Sequence, residues 1–593
     1  MKLKKALVVF MLLILSASFA WAVNYQKTYQ MSDEVWVRAN RLCVSAGYLG
    51  PAPVSPISGA EILNALERLD YSSLSAWQKE EYDYLVSRLS NPAEGVAFTG
   101  KNIIFDPQLF IGIEGYAFNN LKDTPVDEFF IPYRDRIPFF YAGIDSYFGD
   151  LAYINMQALY KDGLRSFELD EKGNVITVPD GNFYNFSNFS FLMSPVYGGG
   201  WSFLNSKDGA NYGIQSFQPI KAGGSFGNEF MNLFIGRDRQ AFGNGITGNM
   251  VIGDNFSFQE MVKLSFFSDI FSYYISLTHF DNVENDQPFS FNGFHQNRLI
   301  HRFDINLFNK FRIAVNVGAH MLTDSPFDFR MLNPMMLVHN WRNNKEATEW
   351  DPSKQDELNN ILGFEFEYAF YPGFIASAQI VIDQFRLSVE KDSQVPSALG
   401  FLGNLKHVAK VGDGYLESWF EAAYTSPYLY LNYKYITDEN SNHIPMYMLD
   451  HIVGYSYGAN VPGEVNYTGY IYGPDAIVLA AGSEYASFDS WTIGGKLLYM
   501  AHGEYGYKSY LDPEKDKDKY ESGLNNMDKA DPSTPSGVVE HTLALTVDGS
   551  YHILDNLELT GALYASYKWN YHNEKNENRG DVQAAIGLSW TII

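Results

Sequence analysis

Four histidines, His279, His295, His301 and His320, lie close together in the sequence. A catalytic centre would need such a base held beside a nucleophile or an activated water. His301, however, falls on the apolar phase of an alternating stretch, and the other three are scattered over strand and loop. The chain contains no G-x-S-x-G, no H-E-x-x-H and no Cys/His metal spacing, so its residues predict no enzyme, no metal and no cofactor. Gly243-Asn244-Gly245 is not a phosphate loop, because no Lys-Ser/Thr follows it. The run Asp512 to Asp531, with Asp516, Asp518 and Asp528 interleaved by Lys, lacks the spacing and glycine of a calcium hand and is expected to be a solvated loop.

What remains is recognition. Sugars present apolar C–H faces ringed by hydroxyl groups, so their sites combine flat aromatic rings with amides, carboxylates and guanidinium groups. The stretch holding Asn340, Trp341, Arg342, Asn343, Asn344, Trp350 and Asp351 has that mixture, and the glycine-rich stretch near 240 adds Arg237 and Arg239. The candidate ligand-binding residues are therefore Arg237, Arg239, Trp341, Arg342, Asn344, Trp350 and Asp351. Girdle tryptophans and ordinary loop polarity are the competing account of each one taken singly.

These residues need a scaffold, and the end of the chain shows its unit. Leu557, Leu559, Gly561, Leu563, Ala565, Tyr567 and Trp569 alternate with Glu558, Thr560, Ala562, Tyr564, Ser566 and Lys568. The preceding strand alternates likewise, with Leu543, Leu545, Val547, Tyr551 and Ile553 on its apolar phase, and Asp555-Asn556 joins the two as a hairpin. A soluble sandwich alternates too, but its strands are commonly about 5 to 6 residues long, whereas a bilayer demands roughly 9 to 11. The strands here have the greater length. Short turns are expected at Gly149-Asp150, Ser268-Asp269, Asn309-Lys310, Pro372-Gly373, Ser426-Pro427, Asp489-Ser490 and Asp555-Asn556. Long loops are expected near 282–297, 321–360, 390–414, 437–475 and 504–540. This rhythm predicts an all-β transmembrane barrel of about 18 antiparallel strands, within about 16 to 20, because the region 194–228 is ambiguous. A barrel so wide is expected to enclose a lumen, with Arg302, Asp304, Arg312, Glu365 and Glu367 on its wet face.

Ahead of the strands the pattern changes. Ser32-Asp33-Glu34, Ser58-Gly59-Ala60-Glu61 and Ser75-Ala76-Trp77-Gln78 read as helix starts, the last two as capping boxes. Pro51-Ala52-Pro53 and Asn91-Pro92 break the bundle from its neighbours. Lys2, Lys4 and Lys5, the apolar run Ala6 to Leu15 and Ala20-Trp21-Ala22 form a secretory signal peptide cut after Ala22. The expected organisation is a signal peptide at 1–22, a periplasmic helical bundle at 23–95 and a barrel at 96–593. Cys43 is the only cysteine, so there is no disulfide framework, and a buried helical thiol is expected. The net charge of -26 argues against nucleic acid. Aromatic content of 16% alongside a mean hydropathy of -0.20 suits strands that are greasy on one side only.

Val37-Arg38-Ala39-Asn40-Arg41-Leu42, Ala46-Gly47-Tyr48 and Pro56-Ile57-Ser58 with Ile62 and Leu66 resemble the start of the capsule-assembly Wzi family of outer-membrane proteins. The stretch Gly236 to Gly245, followed by Gly248 and Asn255, is similar to that family's glycine-rich segment. Arg302, Phe303, Leu322, Phe327 and Leu332-Asn333-Pro334 are similar to its middle region. The family's usual tryptophans are Ser55 and Phe242 here. The resemblance implies a barrel that holds surface polysaccharide in a lectin-like way, without catalysis or cofactor. Its partners would be outer-membrane lipid, surface polysaccharide and, through the helical bundle, other envelope assembly proteins. A porin-like or hydrophobic-solute channel is the alternative, and a barrel esterase or protease a distant third.

Overall fold

The computed structural model describes residues 24–93, 98–99, 103–119, 130–131, 135–160, 168–169, 175–176, 201–205, 211–214, 218–280, 295–323, 357–384, 397–430, 433–437, 443–447, 452–454, 465–488, 490–504 and 533–593. Among them, eighteen antiparallel strands close into one barrel. In chain order they are β1 (Ile103–Phe118), β2 (Phe140–Phe148), β3 (Ala152–Tyr160), β4 (Gln218–Gly227), β5 (Met231–Asp238), β6 (Gln259–Phe267), β7 (Phe271–Phe280), β8 (His295–Leu307) and β9 (Phe311–Thr323). The circuit continues with β10 (Glu357–Tyr371), β11 (Phe374–Gln384), β12 (Ala398–Val411), β13 (Gly414–Thr425), β14 (Ala476–Ser487), β15 (Trp491–His502), β16 (Glu540–Leu554), β17 (Leu557–Trp569) and β18 (Asn578–Thr591). The last strand pairs with the first, Ala585 opposite Tyr116, so no open edge is left to aggregate.

The hairpin at 540–569 forms in the expected register, with Leu545 paired to Ala565 and Val547 to Leu563. Its apolar phase points outward: Leu545 is 47% exposed and Leu563 49%. Exposed apolar side chains follow the short-turn end around the barrel, among them Phe230, Phe271, Phe308, Tyr371, Trp491, Tyr551 and Trp590. Such a belt suits a membrane interface, where a ring can be half greasy and half wet. No helix among the described residues is long and apolar enough to cross a membrane.

Six of the seven expected short turns join consecutive strands. Ser426-Pro427 does not. β13 ends at Thr425 and pairs directly with β14 from Ala476, so Ser426 opens a long connection. The actual tight turn is Gly412-Asp413, where Val411 pairs with Gly414 and Gly412 takes a φ of +57. The loop expected at 390–414 therefore stops at Ser397, and β12 occupies most of that stretch. A proline read as a turn signal misplaced the boundary; a Gly-Asp pair flanked by alternating strands carried the real one.

Three helices precede the barrel: α1 (Glu34–Ala46), α2 (Gly59–Glu67) and α3 (Ala76–Ser90). Both capping boxes form, Ser58 with Glu61 and Ser75 with Gln78. Gly47, at φ +84, ends α1 and lies against Pro372 of the β10–β11 turn, so a side chain there would meet both backbone strain and the proline ring. Cys43 is fully buried in the helical core with Leu42, Ile62, Leu66 and Leu85. The helices are set into the short-turn mouth of the barrel. Trp77 packs edge-on against Tyr415 of β13 at 5.6 Å, and Asn64 reaches Asp269 in the β6–β7 turn at 3.0 Å.

Candidate functional site

The wet face expected on β8 to β10 does line the lumen, and its charges are used up on one another. Arg302 donates to Asp304 at 2.7 Å and to Glu365 at 2.6 Å, and Arg312 is paired with Glu367. All five side chains are buried. Buried ions persist only when paired and hydrogen-bonded. Arg312 also donates to the backbone oxygens of Gly50 and Pro51, which stitches the chain leaving α1 to the barrel wall.

The lumen expected from the strand count is occupied by a segment of the chain itself. Residues 239–258, between β5 and β6, fold inward. Ala241 and Phe242 pair as a short strand with Ser55 and Val54 from the helical segment. Met250, Val251 and Ile252 then pack with wall residues Tyr274, Ile300, Ile361, Val381 and Leu402 into an apolar core within the barrel. Glu421 on β13 holds the turn of this segment, accepting from the amides of Ile246 and Thr247 at 2.7 Å each and from the Thr247 hydroxyl at 2.5 Å. Gln379 accepts from the Met250 amide at 2.8 Å. Tyr430 and Tyr470, from the connection after β13, close the same core. Among the described residues, a belt of buried inward side chains crosses much of the wall: Asp106, Asp145, Asn155, Ser225, Phe234, Lys263, Ser276, Arg302, Asn316, Gln379, Glu421, Ala480, Leu498, Ala544 and Asp581.

The residues picked from sequence are not gathered at one place. Arg237 shares the outward phase of β5 with the exposed Ile235; its Nε donates to Glu260 at 2.6 Å and its guanidinium lies 4.1 Å from the Phe258 ring. Arg239 follows the inward Asp238 and is bound to Asp254, with Nε to Oδ1 at 2.9 Å. Burial alone would lower the pKa of the Arg239 guanidinium, but its hydrogen bond to Asp254 outweighs this and raises it. Both cations thus serve local carboxylates, Glu260 and Asp254. Trp341, Arg342, Asn344, Trp350 and Asp351, like the acidic run 512–531, lie outside the described residues. His301 occupies the outward register expected of it, yet is buried and pairs through Nδ1 with the Tyr273 hydroxyl at 2.7 Å. The described residues hold no cluster of three His, Cys, Asp or Glu arranged for a metal.

One lumenal region was not singled out from sequence. Below the belt, toward the short turns, the inner wall of β13 to β17 becomes wet. Register places Trp419, Gly482, Lys496, Thr546 and Tyr564 on one rung and Glu417, Glu484, Gly494, Asp548 and Ala562 on the next. Trp419, Lys496, Thr546 and Tyr564 are half-buried, while the side chain of Glu484 is 44% exposed and Asp548 is exposed although it faces inward. Arg41 of α1 reaches into this rung, donating to Glu417 at 3.1 Å and Glu484 at 2.5 Å, and Lys406 pairs with Glu417 at 2.9 Å. Burial would lower the pKa of Arg41, but the two glutamates outweigh it and raise it, so the latch is charged at any physiological pH. The alternation in the sequence already assigned Thr546 and Asp548 to the polar phase. Only the pairing across long connections could bring Trp419 beside Lys496.

A closed barrel with greasy exterior, aromatic girdle, short turns on one end and long connections on the other has the fold of an outer-membrane β-barrel, here with a filled bore. No protein-family model matches the chain, and neither does any curated protein. Among solved structures the chain is similar to Wzi, an outer-membrane protein involved in group 1 capsule assembly in Escherichia coli and a carbohydrate-binding β-barrel. The TM-score is 0.51 at 14% identity, over 96% of this chain and 98% of that one. The outer-membrane channel DcaP of Acinetobacter baumannii aligns at TM-score 0.34 with 10% identity, covering 84% of this chain and 100% of that one. OpdK of Pseudomonas aeruginosa, solved with vanillate, aligns at 0.36 with 7% identity, over 82% and 98%.

Proposed function

We propose that the protein is a non-catalytic outer-membrane barrel that binds or organises surface, capsule-type polysaccharide. In this reading the signal peptide ends at Ala22, the helices lie on the periplasmic side and the long connections face outward. The observation that carries it is the in-folded segment 239–258, which packs an apolar core against the inner wall and is pinned by Glu421 and Gln379, and so favours a holding role over transport. The architecture it shares with a carbohydrate-binding barrel supports the same reading. So does the Trp, Arg and Asn content of the 340–351 connection. The rival reading, a channel for polar or hydrophobic solutes, needs an open bore. Planar-bilayer recordings separate the two: the holding role expects little current, whereas steady open steps would favour the channel. Glycan-array binding that falls at least ten-fold in Trp341→Ala supports polysaccharide recognition; no binding to any surface glycan overturns it.

A further inference from the structure

The wet vestibule beneath the belt is built to hold something, and its walls say what. The indole of Trp419 lies so close to Gly482 that a Cβ there would come within 2.4 Å of it, so the absent side chain is what leaves room for the ring against the wall. Gly494 leaves a notch between Glu484 and Asp548, which stand on its two neighbouring strands in the same rung. Lys496 and Asp548 make no ion pair with any described residue. Thr492, Ser550 and Thr560 continue the wall toward the short turns with hydroxyl groups. The helices cover the mouth at β6 to β13, and the N-terminal segment lines β3 to β5, where Asn24 donates to Ala152 O and Gln26 accepts from Asn232. Among the described residues, the inward side chains of β15 to β17 stay half-buried or exposed from Lys496 and Thr546 toward the short turns.

We infer that this vestibule is a second glycan subsite, reached from the helical end, that takes a short neutral oligosaccharide with a pyranose face against Trp419 and hydroxyls on Asp548 and Lys496. The inference rests on the polysaccharide-binding reading and names a place for it inside the barrel. Neutrality follows from the charges. Arg41 and Lys406 already answer Glu417 and Glu484, and the charges of Lys496 and Asp548 cancel without an ion pair between them, so the site carries no net positive charge to favour an acidic sugar. An aromatic platform with flanking carboxylate, ammonium and hydroxyl groups is the donor and acceptor set a neutral sugar needs.

The test is isothermal titration of the detergent-purified full chain with chitotetraose, maltotetraose and tetragalacturonate. At least one neutral tetramer is expected to bind, at least ten-fold tighter than tetragalacturonate. Trp419→Ala should weaken it at least ten-fold and Asp548→Asn at least five-fold. Gly494→Leu should fill the notch and weaken it at least five-fold without disturbing the barrel, because a Cβ there meets only the Asp548 carboxylate, at 3.5 Å. Heat-modifiable gel mobility checks that each variant is folded. Unchanged affinity in folded Trp419→Ala and Gly494→Leu overturns the inference, as does the failure of both neutral tetramers to bind. If whole polysaccharide is still captured in either of those cases, the broader reading stands while the subsite falls. Loss of all glycan binding by the wild-type chain ends both.

Discussion

At the scale of single residues, the lumen is held by charges that would be ruinous alone. Arg302 is fully buried between Asp304 and Glu365. Replacing it with alanine leaves two carboxylates in the belt without their cation, a change that costs roughly 3–5 kcal/mol in comparable buried pairs. Arg302→Ala should therefore lower the temperature at which the folded, fast-migrating gel band is lost, and a variant as heat-stable as the parent would contradict the network. Cys43 makes the opposite case. Burial pushes its thiol up to about 12, so at neutral pH it is both protonated and shielded. A thiol reagent should label it only on unfolding; rapid labelling of the native protein would show that the helical core is looser than described.

At the scale of elements, α1 is the latch between the helices and the barrel. Arg41→Ala removes the bridge to Glu417 and Glu484, a charge-assisted pair worth about 1.5–3 kcal/mol. Limited proteolysis should then cut the 24–93 segment at least roughly ten-fold faster, while the barrel keeps its gel mobility. Ser58→Ala should loosen the same segment less, by about 1 kcal/mol, because only one end of α2 loses its cap. The capping boxes, the helix breaks and the two-faced strands were legible in the sequence because each is written in local spacing. Where a signal was local but ambiguous, as at Ser426-Pro427 against Gly412-Asp413, the reading slipped. The vestibule was not legible at all. Trp419 and Lys496 lie on strands β13 and β15, and the two strands are brought near one another only by β14, which returns after a connection of about fifty residues.

At the scale of the whole molecule, the question is why the bore is filled. Asp238 and Gln259 are direct partners across β5 and β6, so a turn of a few residues would join them. The chain instead spends about twenty residues there and sends them into the lumen, pinned by Glu421, Gln379 and the pairing with Val54. Those residues are superfluous as a connection. A barrel of eighteen strands is wide enough to conduct when empty, so the segment's effect should be to close it. Replacing residues 240–257 with a short Gly-Ser turn should leave the barrel intact by gel mobility, since the paired strand ends already meet. In planar bilayers the parent should show little current and the deletion variant large, steady steps. Equal current from both, with the variant demonstrably folded, would mean that the in-folded segment is not what closes the lumen.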